Sequence, residues 1–188
     1  MVTIRQERPA DATARDALLD VAYGPVRFTK VSERLREGRR PELSLVATDG
    51  RRIVGTVRLW PVTAGPGRPA LLLGPLAVDP ACRNRGIGSA LVRRALRDAS
   101  RLGHGAVLLV GDAPYYGRFG FSSQKTGGLW LPGPYERHRL LARELQAGAL
   151  EGARGPISAR GRPQAKPDLA ALAAGLVRRD PVAAPRTA

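Results

Sequence analysis

The chain has 188 residues, 43% apolar and 25% charged, with one cysteine, Cys82; this is a globular composition that excludes a collagen-like or coiled-coil fibre, an intramolecular disulfide and a Cys-rich zinc site. The length suits one domain, or one domain plus a tail, with a real hydrophobic core. Lys+Arg number 31 against 16 Asp+Glu, a net charge of +15, which speeds the approach of any anionic ligand.

Val2 to Arg5 alternates and predicts a short first strand. Asp11 can cap a helix with apolar positions Ala14, Leu18, Val21 and Ala22, stopped by Gly24-Pro25. A more polar helix is expected over Val31 to Arg36, ending at Gly38. Leu43 to Ala47 reads as a strand, Asp49-Gly50 as a tight turn, and Ile53 to Trp60 as the antiparallel partner with Val54, Thr56, Arg58 and Trp60 on one face. After a Gly/Pro-rich loop from Thr63 to Pro69, an apolar strand runs from Ala70 to Val78. Gly74-Pro75 interrupts it and predicts a bulge, because proline cannot donate to a ladder.

The segment after Asp79-Pro80 is the clearest helix of the chain. Ile87, Leu91, Ala95 and Ala99 recur at helical spacing, Arg93, Arg94, Arg97, Asp98 and Arg101 occupy the other face, and Gly103 stops it. Ala106 to Val110 is a buried-type strand, and Pro114 to Phe119 a short helix. Leu140 to Leu145 fits strand or helix on pattern alone. From 151 to 188 the Pro/Gly/Ala-rich composition predicts a partly flexible C-terminal extension, with one short helix over 169–179 capped by Asp168. The body of the fold is therefore expected within residues 1–150.

The chemistry concentrates between Leu71 and Phe121. The stretch Arg83-Asn84-Arg85-Gly86-Ile87-Gly88-Ser89 opens directly into the long helix. A helix start leaves backbone N–H groups without partners and carries partial positive charge. Glycines let an oxyanion approach closely, and two arginines add full charges, so the loop suits phosphate or pyrophosphate. It lacks the third glycine of a dinucleotide fingerprint and the Gly-Lys-Ser/Thr of a nucleotide-triphosphate loop. A purely structural Gly-rich helix start is the competing interpretation.

Two motifs in order carry a resemblance to the GNAT superfamily of N-acetyltransferases. Arg83-x-x-Gly86-x-Gly88 follows the strand end Leu76-Ala77-Val78-Asp79-Pro80 and resembles the family's Gln/Arg-x-x-Gly-x-Gly/Ala signature. Tyr115-Tyr116-Gly117-Arg118-Phe119-Gly120-Phe121 resembles its aromatic-Tyr-x-x-x-Gly-Phe pattern. The resemblance covers roughly residues 2 to 145. It implies an α/β (α+β) fold with a mixed, mostly antiparallel central sheet, splayed at a bulge and flanked by helices on both faces.

It also implies acetyl-CoA as co-substrate and no metal. The pyrophosphate would lie against Arg83, Asn84, Arg85, Gly86, Ile87, Gly88 and Ser89, the pantetheine arm along Leu76, Ala77 and Val78, with Phe119 beside the cofactor. One strand amide would polarise the acetyl carbonyl. Tyr116 would protonate the leaving thiolate, with Tyr115 as the alternative and core packing of both as the bland reading. Cys82 is a bystander, because the amine attacks directly. The base is open among Glu33, Glu42, Asp79, His104, His138 and water.

The implied partner is a small-molecule amine or a protein amine. The many arginines of Thr13 to Glu37 and Gly127 to Leu150 disfavour a polycationic acceptor. A homodimer is left open. No run approaches the ~18 apolar residues of a membrane span, and MVTIRQERPADATARD has no signal-type apolar stretch; a cytoplasmic location is expected. The charge is dispersed and no aromatic-interleaved basic motif occurs, so no specific nucleic acid is expected. An acyl-CoA-binding regulatory module and a basic nucleic-acid-associated protein are the rival functions.

Overall fold

The structure, a computed structural model, describes residues 1–164. Strand β1 (Val2–Gln6) leads into helix α1 (Ala12–Tyr23) and the short α2 (Val31–Arg34). Three long strands follow: β2 (Leu43–Asp49), β3 (Arg52–Ala64) and β4 (Pro69–Val78). Then come α3 (Ile87–Arg101), β5 (Ala106–Val110), α4 (Ala113–Gly117), β6 (Leu129–Trp130), β7 (Leu140–Glu144) and β8 (Gly155–Ala159). The sheet runs β1-β2-β3-β4-β5-β7. Its neighbours along this path are antiparallel except β4 and β5. This is the mixed, mostly antiparallel sheet that the motifs implied.

Helices cover both faces because β2 and β3 are apolar on both. Ala47 packs with Ile87, Leu91 and Ala95 of α3, while its neighbour Val46 packs with Leu18 and Leu19 of α1. Successive strand side chains point to opposite faces, so two helices can use one strand. Leu91, Val92, Ala95 and Ala99 are wholly buried, and a buried leucine contributes about 1.5–3 kcal/mol. Gly55 lets α3 lie close, since a Cβ there would stand 2.9 Å from Leu91 Cδ1 and 3.1 Å from Ile87 Cγ2.

Three expectations change. Val54 does not share a face with Thr56: the register shifts between Ala47 and Thr48, leaving Ile53 with the α1 cluster and Val54 with the α3 cluster. A bulge inserts one residue and reverses the alternation. The expected loop from Thr63 to Pro69 shrinks to the turn after Ala64, because β3 and β4 pair out to Thr63↔Pro69. The fold also runs past residue 150. β8 pairs with β3 through Val62↔Ala159, Thr63↔Ser158 and Ala64↔Ile157, and Ile157 is buried. Composition alone concealed this, since Gly155, Pro156 and Gly161 read as linker although their neighbours complete a sheet edge. The expected helix over 169–179 lies outside the described residues.

Candidate active site

The site begins where β4 and β5 part. They pair only at Leu71↔Val107 and Leu72↔Leu108. Beyond them β4 keeps its β3 partner but departs from the regular ladder: Leu73 faces Leu59 and Leu76 faces Val57, so Gly74 and Pro75 together oppose Arg58. This is the bulge that Gly74-Pro75 predicted. The buried indole of Trp60 donates to the Gly74 carbonyl at 2.6 Å, satisfying an oxygen that the bulge takes out of the ladder.

Past the bulge, the alternation of an antiparallel ladder decides which amides are free. Asp79 N–H donates to Val54 C=O at 2.9 Å. Counting back along the register, Ala77 is bonded to Thr56, while Leu76 and Val78 sit opposite Val57 and Gly55 in non-hydrogen-bonded positions. The polar groups of Leu76 and Val78 therefore face the gap left by β5. The Tyr23 hydroxyl, arriving from the end of α1, donates to the Leu76 carbonyl. The N–H groups of Leu76 and Val78 are the strand donors pointing into the gap.

At the mouth of the gap, the loop after Asp79 turns through Asn84 (φ 60°) and Gly86 (φ 74°) into α3. Gly86 is the N-cap and offers no side chain, so no side-chain cap binds the first-turn N–H groups of this 15-residue helix. A cavity of about 430 Å³ lies over them. Arg83, Asn84, Gly86, Ile87, Gly88 and Ser89 line it, together with Val78 and Tyr115. A second cavity, of about 200 Å³, lies at the bulge and is walled by Tyr23, Arg36, Trp60, Gly74, Leu76 and Tyr116. A larger open trough of about 990 Å³ runs along α3 between Arg93, Arg97 and Arg143; it lacks the strand gap and both tyrosines.

The two adjacent tyrosines part company. Their rings meet edge to face at 4.9 Å. Tyr115 turns to the loop cavity, where its hydroxyl would lie 2.9 Å from a Cβ on Gly88. Tyr116 turns to the bulge cavity, its ring against Phe121 at 5.9 Å and close over Gly111. Burial pushes the Tyr116 phenol well above its ordinary value, with the neighbouring Tyr23 and Tyr115 adding to the effect.

Other expected residues are dispersed. Arg85 turns toward Asp49 at 3.6 Å, away from the loop cavity. Ala77 points into the α1 cluster and Phe119 is core, 4% exposed. Asp79 accepts from Ala81 N–H and pairs with Arg52, contacts that hold its carboxyl below the usual range. His104 lies 3.5 Å from Glu42, beyond the far end of α3, and His138 is 78% exposed. Of the carboxylates considered as base, Glu33 lines the bulge cavity.

Sequence reasoning missed Tyr23, Arg36, Arg58 and Trp60, which reach one cavity only through the packing of α1 and α2 on the sheet. It also missed Glu7, which accepts from Arg58 at 2.6 Å and pairs with Arg15. Burial pushes the Glu7 carboxyl up, and Arg15 pulls it back. Arg118 lines the loop cavity too, 4.1 Å over the Tyr115 ring; its place inside the Tyr-Tyr-Gly-Arg-Phe stretch was the available signal. Among the described residues, no three His, Cys, Asp or Glu side chains gather as a metal site, and no helix is long and apolar enough to cross a membrane.

Comparison with known proteins agrees with this geometry. A family model for the GNAT acetyltransferase domain matches residues 40–123. The uncharacterised N-acetyltransferase YhbS of Escherichia coli is 34% identical over 156 residues, 82% of this chain and 93% of that protein. A crystal structure of E. coli YhbS in complex with CoA superposes with a TM-score of 0.73 at 32% identity, covering 85% of this chain and 89% of that one. A GNAT acetyltransferase from Brucella melitensis in complex with acetyl-CoA gives 0.59 at 28% identity, over 89% and 97% of the two chains. With its splayed sheet, its uncapped Gly-rich helix start and a full-length relative at this identity, the chain belongs to the GNAT superfamily of N-acetyltransferases.

Proposed function

We propose that the protein transfers an acetyl group from acetyl-CoA to an amine by direct attack. One observation carries this reading: the uncapped first turn of α3 at the loop cavity, the outward-facing N–H groups of Leu76 and Val78 on β4, and Tyr116 at the bulge cavity follow one another, since Val78 lines the first cavity and Leu76 the second. A diphosphate suits the first, an extended amide-bearing arm the second, and a thioester the third.

The Gly86–Ser89 amides and Arg83 hold the diphosphate. The pantetheine arm lies along β4 in place of the missing strand, its amides meeting the edge groups of Val78. The Leu76 N–H, at the bulge, is the donor for the acetyl oxygen as it gains charge. The amine lone pair attacks the carbonyl carbon and forms the C–N bond. The C–S bond then breaks and its electron pair leaves on sulfur.

Tyr116 gives its proton to that sulfur, and solvent restores the phenol. The amine's surplus proton leaves to Glu33 or to water. Burial raises the Tyr116 pKa, so the phenol carries the proton it is to give at ordinary assay pH.

The test is calorimetric titration of the full chain with CoA, followed by CoA release from acetyl-CoA across a panel of amines. Tyr116→Phe keeps the ring and removes the acid. It should lower kcat about 100- to 1000-fold while leaving CoA affinity within about twofold. Absence of heat with CoA removes the whole reading. Unchanged turnover in Tyr116→Phe removes the acid, and CoA binding without turnover on any amine favours a regulatory module.

A further inference from the structure

We propose that the bulge cavity selects an amine that also carries a carboxylate, and that Arg36 binds that carboxylate. The proposal rests on the acyl-transfer reading and names the acceptor class for the same site.

The cavity is lined by the cations Arg27, Lys30, Arg36 and Arg58 against the anions Asp16 and Glu33. Most of these charges are already committed. Arg27 pairs with Asp20 at 2.9 Å, Arg58 with Glu7 at 2.6 Å, and Asp16 with Arg15 at 2.9 Å. Arg36 is committed only in part. Its side chain is only 10% exposed. It donates to Ser32 Oγ at 2.9 Å and to Glu33 at 3.2 Å. Its Nε is buried and has no partner among the described residues.

A guanidinium has five donors in a rigid fork matched to a carboxylate. A buried donor left unmet is costly. The contacts to Glu33 and Ser32 use only part of this donor set, and Arg36 lines the cavity wall.

Position narrows the ligand. Arg36 Nη2 would stand 3.2 Å from a Cβ on Gly74, so the fork lies at the bulge, two residues from the Leu76 amide. At about 3.3 Å per residue, the backbone from Gly74 to Leu76 spans under about 7 Å. An amine attacking at Leu76 and an anion at Arg36 therefore share one small cavity, which suits a compact molecule carrying both groups, such as an amino acid.

Size agrees. The cavity of about 200 Å³ is of a size for a small molecule. Lys30, 4.6 Å over the Tyr23 ring, adds a second positive charge. Glu33 beside the fork offers an acceptor to the ammonium group. A dianionic phosphonate would set its extra charge against Glu33, so the carboxylate is the preferred anion.

Two measurements on the full chain test this. In turnover, alanine should exceed ethylamine and alaninamide by at least tenfold in kcat/KM, and aminomethylphosphonate should trail glycine. Arg36→Gln should erase the preference through KM with little change in kcat.

In binding, the CoA-loaded chain is titrated with N-acetyl-L-alanine and with its primary amide. The acid should bind at least tenfold more tightly. Arg36→Gln should bring the two together, and Arg36→Lys, which keeps charge but not the fork, should fall between. Equal binding of acid and amide by the wild-type chain overturns the proposal even if a variant fails to fold; so does a preference unchanged by Arg36→Gln. CoA affinity read in the same titrations separates the cases: its absence defeats the acyl-transfer reading, whereas its presence without acid-amide discrimination defeats only the role of Arg36.

Discussion

Gly55→Ala probes whether the sheet positions the diphosphate loop. The added Cβ would stand 2.9 Å from Leu91 Cδ1, 3.1 Å from Ile87 Cγ2 and 3.4 Å from Ala47 Cβ. Leu91 is wholly buried and Ile87 nearly so, and the β-branched Ile87 is stiff at χ1. Neither side chain has room to swing clear, so α3 must lift. Overpacking of this kind costs about 1–3 kcal/mol. Replacing glycine inside a strand returns about 0.5–1 kcal/mol.

The net loss is about 0–2.5 kcal/mol, a fall in Tm of up to roughly 10 °C for a chain of this size. Ile87 is the first residue of α3, so the same lift displaces the amides proposed to hold the diphosphate. Weakening one charge-assisted hydrogen bond by about 1 kcal/mol lowers CoA affinity about fivefold. Urea unfolding and calorimetry read both effects. In Gly55→Ala/Leu91→Ala the new methyl occupies vacated space, so the double mutant should be more stable than additivity predicts by about 1 kcal/mol. A higher unfolding midpoint in Gly55→Ala, or additivity within about 0.3–0.5 kcal/mol, would refute the reasoning.

Two other perturbations follow from single contacts. Trp60→Phe removes the donor to Gly74 C=O, a bond of 2.6 Å between buried groups, and should cost about 1–3 kcal/mol for the stranded carbonyl; a urea midpoint equal to wild type would show that the bulge does not depend on this bond. Asp11 accepts from Arg5 at 2.6 and 2.9 Å and from Arg8 N–H at 2.7 Å, contacts that lower its carboxyl from 3.8 to about 2. Its folded pKa lies below the unfolded value, so its contribution is full above about pH 4 and is lost as pH falls through about 2. Stability measured between pH 2 and 6 should fall more steeply with acid in wild type than in Asp11→Asn, and parallel curves would remove this pair from the acid response.

Local patterns carried much of the candidate site. The apolar stripe of α3, the break at Gly74-Pro75 and the Arg83–Ser89 loop are short-range features, and each concerns backbone geometry that nearby residues dictate. The adjacent tyrosines were visible for the same reason. Which one faces which cavity was not, because a difference of one residue on a helix of five becomes a difference in cavity only when the neighbouring strands are in place.

What the chain announces by itself is therefore the apparatus made of consecutive residues: the helix, its uncapped Gly-rich start, the bulge and the tyrosine pair. What folding alone decided is everything built from distant residues. Arg36 reaches Gly74 because α2 lies against the sheet there, Tyr23 reaches Leu76 because α1 crosses β4, and β8 extends the edge of β3 some 90 positions along the chain. The face on which Val54 lies turned on a single-residue register shift. The alternation of side chains has a period of two and changes sign with one inserted residue, and a cavity wall has no period, so neither is encoded in any local stretch of sequence.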